Sequence, residues 1–181
     1  MRIIGGSAKG RRFTIPKGFD SRPTTDFARE SLFNILNHRI DFDGIKALDL
    51  CCGTGSLSYE LASRGASEVI AVDRNVRCIA YIKEQALKFQ LPQIKAIKSD
   101  VKRYLEKAHG SFDLIVADPP FDIQPFAEWL EIIIARKMLN DGGLIVLEHG
   151  GELNYSEFQS HHETRKYGQV HFSFFTLDQH E

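Results

Sequence analysis

The chain has no apolar run approaching the roughly 18 residues that a membrane span requires. Its basic amino terminus also lacks the apolar segment and small-residue cleavage site of a secretory leader, so a cytoplasmic protein is expected. Cysteine is scarce: Cys51 and Cys52 are adjacent and Cys78 stands alone, with no spacing that suits a metal site or a disulfide framework. All three read as small buried or turn residues. No pair among His149, His161, His162 and His171 has helical ligand spacing with a catalytic glutamate, so no metal is assigned. Repeats, low-complexity tracts and linkers are missing as well, which leaves one expected domain over residues 1–181. With 181 residues, 43% hydrophobic and 26% charged, it is large enough to bury a continuous core without disulfides or metals.

Net charge is also small, at -1, but it is unevenly spread. Residues 1–22 carry Arg2, Lys9, Arg11, Arg12, Lys17 and Arg22 against Asp20 alone, a net +5 that leaves the remainder at -6. A cationic extension on an acidic body suits an anionic partner, and Lys9, Arg11, Arg12 and Arg22 are the candidate phosphate contacts of an RNA. A solvated arm is the plainer alternative.

The chain order is regular after this basic extension. A short hairpin is expected from Arg2–Ile4 and Arg12–Ile15 around Gly5-Gly6-Ser7. A helix follows within 23–40, capped by Thr24 or Thr25, with Phe27, Leu32, Ile35 and Leu36 on an apolar face that ends near Asn37. The catalytic core is expected over 41–181: strand 45–50, helix 56–64, strand 68–73, helix 76–90, strand 94–98, helix 101–108, strand 112–117, helix 126–139. A turn at Asn140-Asp141-Gly142-Gly143 leads to strand 144–148, and runs at 161–167 and 170–177 are joined at Gly168. Alternating strands and helices imply an α/β fold, a mostly parallel seven-stranded sheet covered on both faces, closed by an antiparallel hairpin.

Two strand ends carry the chemistry. Asp49 ends the first strand and runs into Cys51-Cys52-Gly53-Thr54-Gly55, whose glycines let a nucleotide-like cofactor approach the backbone beside the free amides of the next helix. Asp73 closes the second strand, 20 residues after Gly53, where a carboxylate accepts hydrogen bonds from ribose hydroxyls. A dinucleotide site would have a third glycine where Ser58 stands, and would give no role to the end of strand 112–117. That end reads Asp118-Pro119-Pro120-Phe121: a carboxylate, carbonyls stiffened by proline and an aromatic ring, a combination that suits an exocyclic amine on a flat base. Ser99-Asp100 follows the third strand, so four acidic strand ends fall in register.

Asp49-Leu50-Cys51-Cys52-Gly53-Thr54-Gly55, Val72-Asp73, Ser99-Asp100 and Asp118-Pro119-Pro120-Phe121 resemble the successive motifs of class I S-adenosylmethionine-dependent methyltransferases, which implies the Rossmann-like fold of that class. By that resemblance Asp49, Gly53 and Gly55 border the methionine portion of S-adenosylmethionine, Asp73 holds the ribose, Asp100 meets the adenine amine and the Val101 backbone lines the adenine. Arg2-Ile3-Ile4-Gly5-Gly6, Lys9-Gly10-Arg11, the Pro16 region, and Arg22-Pro23-Thr24-Thr25-Asp26 leading to Arg29-Glu30-Ser31-Leu32-Phe33-Asn34 resemble the RsmD family, which methylates guanine N2 in 16S rRNA. Ser63-Arg64-Gly65-Ala66 and Glu148-His149 extend the likeness over nearly the whole chain. Cys51-Cys52 departs from the family's usual Phe-Ala but keeps both glycines.

The resemblance implies a monomer that acts on 16S rRNA or a small-subunit ribosomal particle. In that reading Asp118 and the Pro119 carbonyl accept the two amine hydrogens, Asp118 later takes the proton, Pro120 stiffens the loop and Phe121 stacks on the base. Three alternatives stand beside it: a DNA or RNA methyltransferase acting on adenine N6 or cytosine N4, a non-catalytic RNA-binding assembly factor with a relic cofactor fold, and an NAD oxidoreductase.

Overall fold

A computed structural model describes residues 1–15, 19, 25–120 and 126–177. The elements follow in the order α1 (Asp26–Leu36), β1 (Lys46–Leu50), α2 (Ser56–Ser63), β2 (Glu68–Asp73), α3 (Val76–Phe89), β3 (Ile94–Lys98), α4 (Val101–Lys107), β4 (Phe112–Ala117), α5 (Phe126–Ala135), β5 (Leu139–Gly150), β6 (His161–Tyr167) and β7 (Val170–Phe175). The strands form one sheet in the order β3-β2-β1-β4-β5-β7-β6. The pairs β1–β2, β1–β4, β2–β3 and β4–β5 are parallel, and β7 lies antiparallel between β5 and β6. Strand order reverses between β1 and β4, so their carboxyl ends open a crevice where ligands of doubly wound folds bind.

The strands read as near-continuous apolar runs because helices cover both faces. Leu32, Phe33 and Leu36 of α1 pack with Leu57 and Leu61 of α2 and Ile79 and Ile82 of α3 over Ala47, Val69, Leu114, Val146, Phe172 and Phe174. On the other face Leu105 of α4 and Phe126, Trp129, Leu130 and Ile133 of α5 cover Leu48, Leu50, Val72, Ile115 and Ile145. Among the described residues no helix is long and apolar enough to cross a membrane.

Two expected boundaries move. The Asn140–Gly143 segment is not a free turn: β5 already begins at Leu139, which pairs with Phe112, and the register shifts before Leu144 meets Leu114. Helix α5 therefore ends at Ala135 rather than 139, because Lys137 takes a left-handed φ of 51° and the Met138 amide turns back to the Ile133 carbonyl at 3.0 Å. The amino-terminal hairpin is present but short, centred on one antiparallel bridge between Arg2 and Arg12. The hairpin holds through the Ile3 amide on the Arg11 carbonyl at 2.9 Å and the Phe13 amide on the Met1 carbonyl at 3.1 Å, and its loop straps the chain onto α2. Ser7 donates to the Ser63 carbonyl at 2.7 Å, Ala8 to the Ser63 hydroxyl at 2.9 Å, and the Ile4 and Gly5 amides to the Glu60 carboxylate. At Gly6 the approach is so close that a Cβ would lie 1.7 Å from the Ser63 carbonyl oxygen, and φ is +74°. Pro16 and Thr24 lie outside the described residues, and Thr25 is the cap of α1, accepting the Ala28 amide at 3.1 Å.

Arg29 of α1 and Glu60 of α2 meet under this strap, both side chains at 0% exposure, with Nε 3.7 Å from Oε1. Arg29 also reaches Asp26 at 2.8 Å and the Arg2 carbonyl at 2.5 Å. Burial raises the Glu60 carboxyl above its usual range, while the Ile4 amide, Arg64, Arg29 and the Gly5 amide hold it down. Removing one partner leaves the other charged in the interior. Glu60→Ala is expected to cost about 3–5 kcal/mol of stability, read as a lower urea midpoint, with Glu60→Gln milder because it keeps an acceptor for the strap amides. Equal midpoints for Glu60→Ala and the natural chain would show that the ion pair contributes nothing.

Candidate active site

Between β1 and α2 the backbone takes left-handed φ at Cys51 (60°), Gly53 (52°) and Gly55 (84°), which folds five residues into a tight cup at the carboxyl edge of the sheet. Gly55 caps α2, and a Cβ there would lie 2.8 Å from Ile82 and 2.9 Å from Tyr59. The cup is tied to β2: the Cys52 amide donates to the Val72 carbonyl at 3.1 Å, and the Gly53 amide to Asp73 Oδ2 at 2.9 Å. Asp73 Oδ1 accepts the Asn75 amide at 2.8 Å, so the carboxylate is fixed with lone pairs left toward the crevice.

Asp49 is only 1% exposed. Ser58 donates its hydroxyl to Asp49 Oδ2, while Oδ1 is buried with no hydrogen-bond partner. Burial pushes this carboxyl up to about 7 against the pull of the Ser58 hydroxyl and amide, with Asp73 adding repulsion. Ser58, which in the sequence only marked a missing glycine, is thus the residue that orients Asp49. The polar side chain at i+9 from a strand-end acid was the available signal, and nothing in the sequence gave its direction.

Asp118 follows β4, and its amide donates to the Leu50 carbonyl at 3.1 Å, continuing the β1–β4 ladder one residue past Leu50↔Ala117. That bond sets the Asp118 corner against the cofactor cup. Part of Asp118 meets solvent, yet lost hydration is the main reason its carboxyl titrates well above the usual range, with Glu148 and then Asp49 adding like-charge repulsion. Glu148, 4% exposed near the end of β5, is a neighbour that the sequence named only for the family likeness and did not place beside Asp118. Pro119 is buried and Pro120 exposed, and Phe121 lies outside the described residues. Asp100 caps α4 through the Arg103 amide at 3.1 Å, and Val101 begins that helix buried against the sheet. His149 is held by packing and hydrogen bonds, its ring nitrogens each 2.8 Å from the Gly150 carbonyl and the Ser173 hydroxyl.

Asp49, Gly53, Gly55, Asp73, Asp100, Val101, Asp118 and Pro119 therefore share one edge of the sheet. Lys9, Arg11 and Arg12 do not. Arg11 donates to the Lys88 carbonyl at 3.3 Å, in the last turn of α3, and Lys9 follows the loop bonded to Ser63 at the end of α2. Both helices begin at the cup, and the 13 residues from Asn75 to Lys88 at about 1.5 Å each put Arg11 roughly 20 Å from the crevice. Arg22 lies outside the described residues. A cavity of about 610 Å³ also sits at that far end, lined by Asn37, Arg39, Phe42 and Arg64, away from the acidic strand ends.

A seven-stranded sheet of this order, with a glycine cup and acidic strand ends, is the architecture of a class I methyltransferase. The family model described as Conserved hypothetical protein 95 matches residues 1–176, and the chain belongs to that family, the RsmD family. YlbH of Bacillus subtilis, which carries a provisional rRNA methyltransferase name, is 37% identical over 87% of this chain and 86% of its own. The ribosomal RNA small subunit methyltransferase D of Buchnera aphidicola is 30% identical over 85% and 78%. Among solved structures, a Thermus thermophilus 16S rRNA guanine-N2 methyltransferase, RsmC, in complex with AdoMet and guanosine superposes with a TM-score of 0.70 at 27% identity. That match covers 86% of this chain and 44% of RsmC.

The raised Asp49 pKa sets a sign for stability. Its native value, about 7, exceeds the unfolded value near 3.8, so its contribution is fully present below about pH 4 and is lost as pH rises through 7. Calorimetry of the ligand-free protein between pH 4 and 8 is expected to show a flatter pH dependence of Tm for Asp49→Asn than for the natural chain. Identical slopes would remove Asp49 as the titrating group.

Proposed function

We propose that this chain transfers a methyl group from S-adenosylmethionine to the exocyclic N2 of a guanine in 16S rRNA. The observation that carries the reading is the Asp118 amide bound to the Leu50 carbonyl at 3.1 Å, which puts the Asp118-Pro119 corner beside the glycine cup. The residues present fit the cofactor. Asp49 has a buried oxygen without a partner and faces like charges, so a ligand with an ammonium and a sulfonium group relieves both. Asp73 has lone pairs for ribose hydroxyls, and Asp100 spends one oxygen on its helix cap and has the other for the adenine amine above the Val101 backbone.

When bound, the cofactor supplies an electrophilic methyl group. The guanine amine is a poor nucleophile because its lone pair is delocalised into the ring. Asp118 and the Pro119 carbonyl accept its two hydrogens, which localises the lone pair and opposes the positive charge that develops as the N–C bond forms and the S–C bond breaks. Asp118 then takes the surplus proton, a role its raised pKa suits better than an ordinary carboxylate would. Pro120 stiffens the turn, and Phe121 is the stacking partner of the base. The substrate nucleotide must be unpaired or extruded for its amine to reach this corner.

Adenine N6 and cytosine N4 present similar amines to the same tetrapeptide. The small-subunit rRNA target is favoured by the names of the relatives, and guanine N2 by the guanosine in RsmC. The partner is accordingly 16S rRNA or a small-subunit particle, met by a single-domain monomer in the cytoplasm. Lys9, Arg11, Arg12 and Arg22 contribute phosphate contacts, the first three to RNA that extends well beyond the target nucleotide. Mass mapping of modified nucleosides in rRNA from cells lacking the protein tests the whole reading: loss of one N2-methylguanine is expected, and an unchanged rRNA profile would overturn it.

Asp118→Ala is expected to lower single-turnover methylation about 100- to 1,000-fold while the Kd for S-adenosylmethionine changes less than threefold, on the order of one lost transition-state electrostatic contact. Near-normal turnover by that variant would remove Asp118 from the mechanism. Below about pH 7 Asp49 is protonated and no longer balances the ligand's ammonium. Affinity for S-adenosylmethionine measured by calorimetry is therefore expected to weaken from pH 8 to pH 6, with proton release on binding near pH 7. Asp49→Asn should bind weakly at both. The double change Arg11→Glu and Arg12→Glu is expected to weaken RNA binding and flatten its dependence on salt, and an unchanged salt slope would exclude the arm.

A further inference from the structure

Phe27 lies on the outward side of α1 and is 69% exposed, while Ala28, Leu32, Phe33 and Leu36 of the same helix are buried. A single exposed apolar side chain carries no message on a protein surface. Phe27, however, meets Tyr167 of β6, ring centroids 6.2 Å apart and planes at 75°, so two aromatic rings from elements 140 residues apart are held together at the surface.

Their position is specific. Tyr167 pairs with Val170 at the β6–β7 hairpin, and Val170 pairs with Gly150 at the carboxyl end of β5. This is the same edge of the sheet as Asp118, because β4 and β5 are parallel. Tyr167 stands three strands from β4, about 14 Å at the usual strand spacing. Arg165 and Lys166 precede it on β6 and are exposed, and the exposed Arg2 lies 4.0 Å from Asp26, the residue before Phe27. Asp26 carries negative charge at the same rim and is engaged with Arg29, while Glu163, further down β6, is engaged with Arg165.

Resting on the guanine-methyltransferase reading, we propose that Phe27 and Tyr167 form a stacking platform for an unpaired base of the substrate RNA, a nucleotide flanking the one whose amine enters the Asp118 corner. Every base has a π-face, so aromatic rings grip a single strand without reading it, and nearby cations hold the backbone. The platform fixes the strand on the far side of the crevice from α3 and α4, which keeps an extruded nucleotide from rotating away from Asp118. It acts through substrate binding and leaves the reacting atoms to the corner itself.

The test uses the full chain, labelled S-adenosylmethionine and two probes: a naked 16S rRNA transcript and small-subunit particles that lack the modification. Phe27→Ala is expected to raise the RNA KM about 5- to 150-fold on the responsive probe, the equivalent of one lost base stack, with kcat within twofold and cofactor affinity unchanged. Phe27→Trp restores the KM, whereas Phe27→Leu does not. An unchanged KM for Phe27→Ala overturns the proposal. So does rescue by Phe27→Leu as complete as that by Phe27→Trp, which would assign the patch to an apolar protein contact on the particle. If the natural chain methylates neither probe, the underlying reading falls, and filter binding of the transcript to the natural and Phe27→Ala proteins still decides whether the platform holds RNA.

Discussion

The site is organised by the crowding of carboxylates at the ends of adjacent parallel strands. Asp73 repels Asp49, Glu148 and Asp49 repel Asp118, and with burial this holds the carboxyls of Asp49 and Asp118 above the ordinary range. A fold gains nothing from such an arrangement by itself. Each group loses hydration and meets like charge, a cost tolerated where a ligand of opposite sign arrives. The surrounding devices make sense in that light. Ser58 restrains Asp49, the turn amides of Gly53 and Asn75 fix Asp73, and the bond from Asp118 to Leu50 prevents the corner from relaxing away from its neighbours.

A second buried charge centre, Arg29 with Glu60, serves architecture. It joins α1, α2 and the amino-terminal strap through a set of hydrogen bonds that no apolar contact would orient so narrowly. The strap then continues along α3, where the Tyr81 hydroxyl donates to the Thr14 carbonyl at 2.8 Å and Arg77 lies over the Phe19 ring at 5.1 Å. Among the described basic residues of that segment, Arg2 lies beside α1 and Arg11 beside the end of α3, so they do not form one cationic patch. Arg11 also closes the carboxyl end of that helix, a structural duty that the charge count concealed.

Much of this was legible in the residues. Apolar strands separated by helical spacing gave the element order, and turn chemistry marked the cup because only glycine tolerates the close approach at Gly55. Strand-end acids gave the crevice because parallel sheets aim their carboxyl ends alike. What escaped the reading depended on contacts across the chain. Glu148 is a neighbour of Asp118 only through β4–β5 pairing, Ser58 faces Asp49 only through the turn of the cup, and the early end of α5 follows from Met138 being drawn into the core. The Arg2–Arg12 segment does pair as a short hairpin, but its loop amides bind the end of α2, a contact that no local pattern announces.

Ile3, Ala8 and Phe13 are buried, and the Phe13 ring packs 5.2 Å from Tyr59 and 6.3 Å from Phe89. These residues, made before α3, thus wait for a docking surface that is complete only when α3 has been made. During synthesis the nascent strap stays open, apolar and cationic at once, and its closure belongs to the late, long-range stage of folding rather than to a local nucleus.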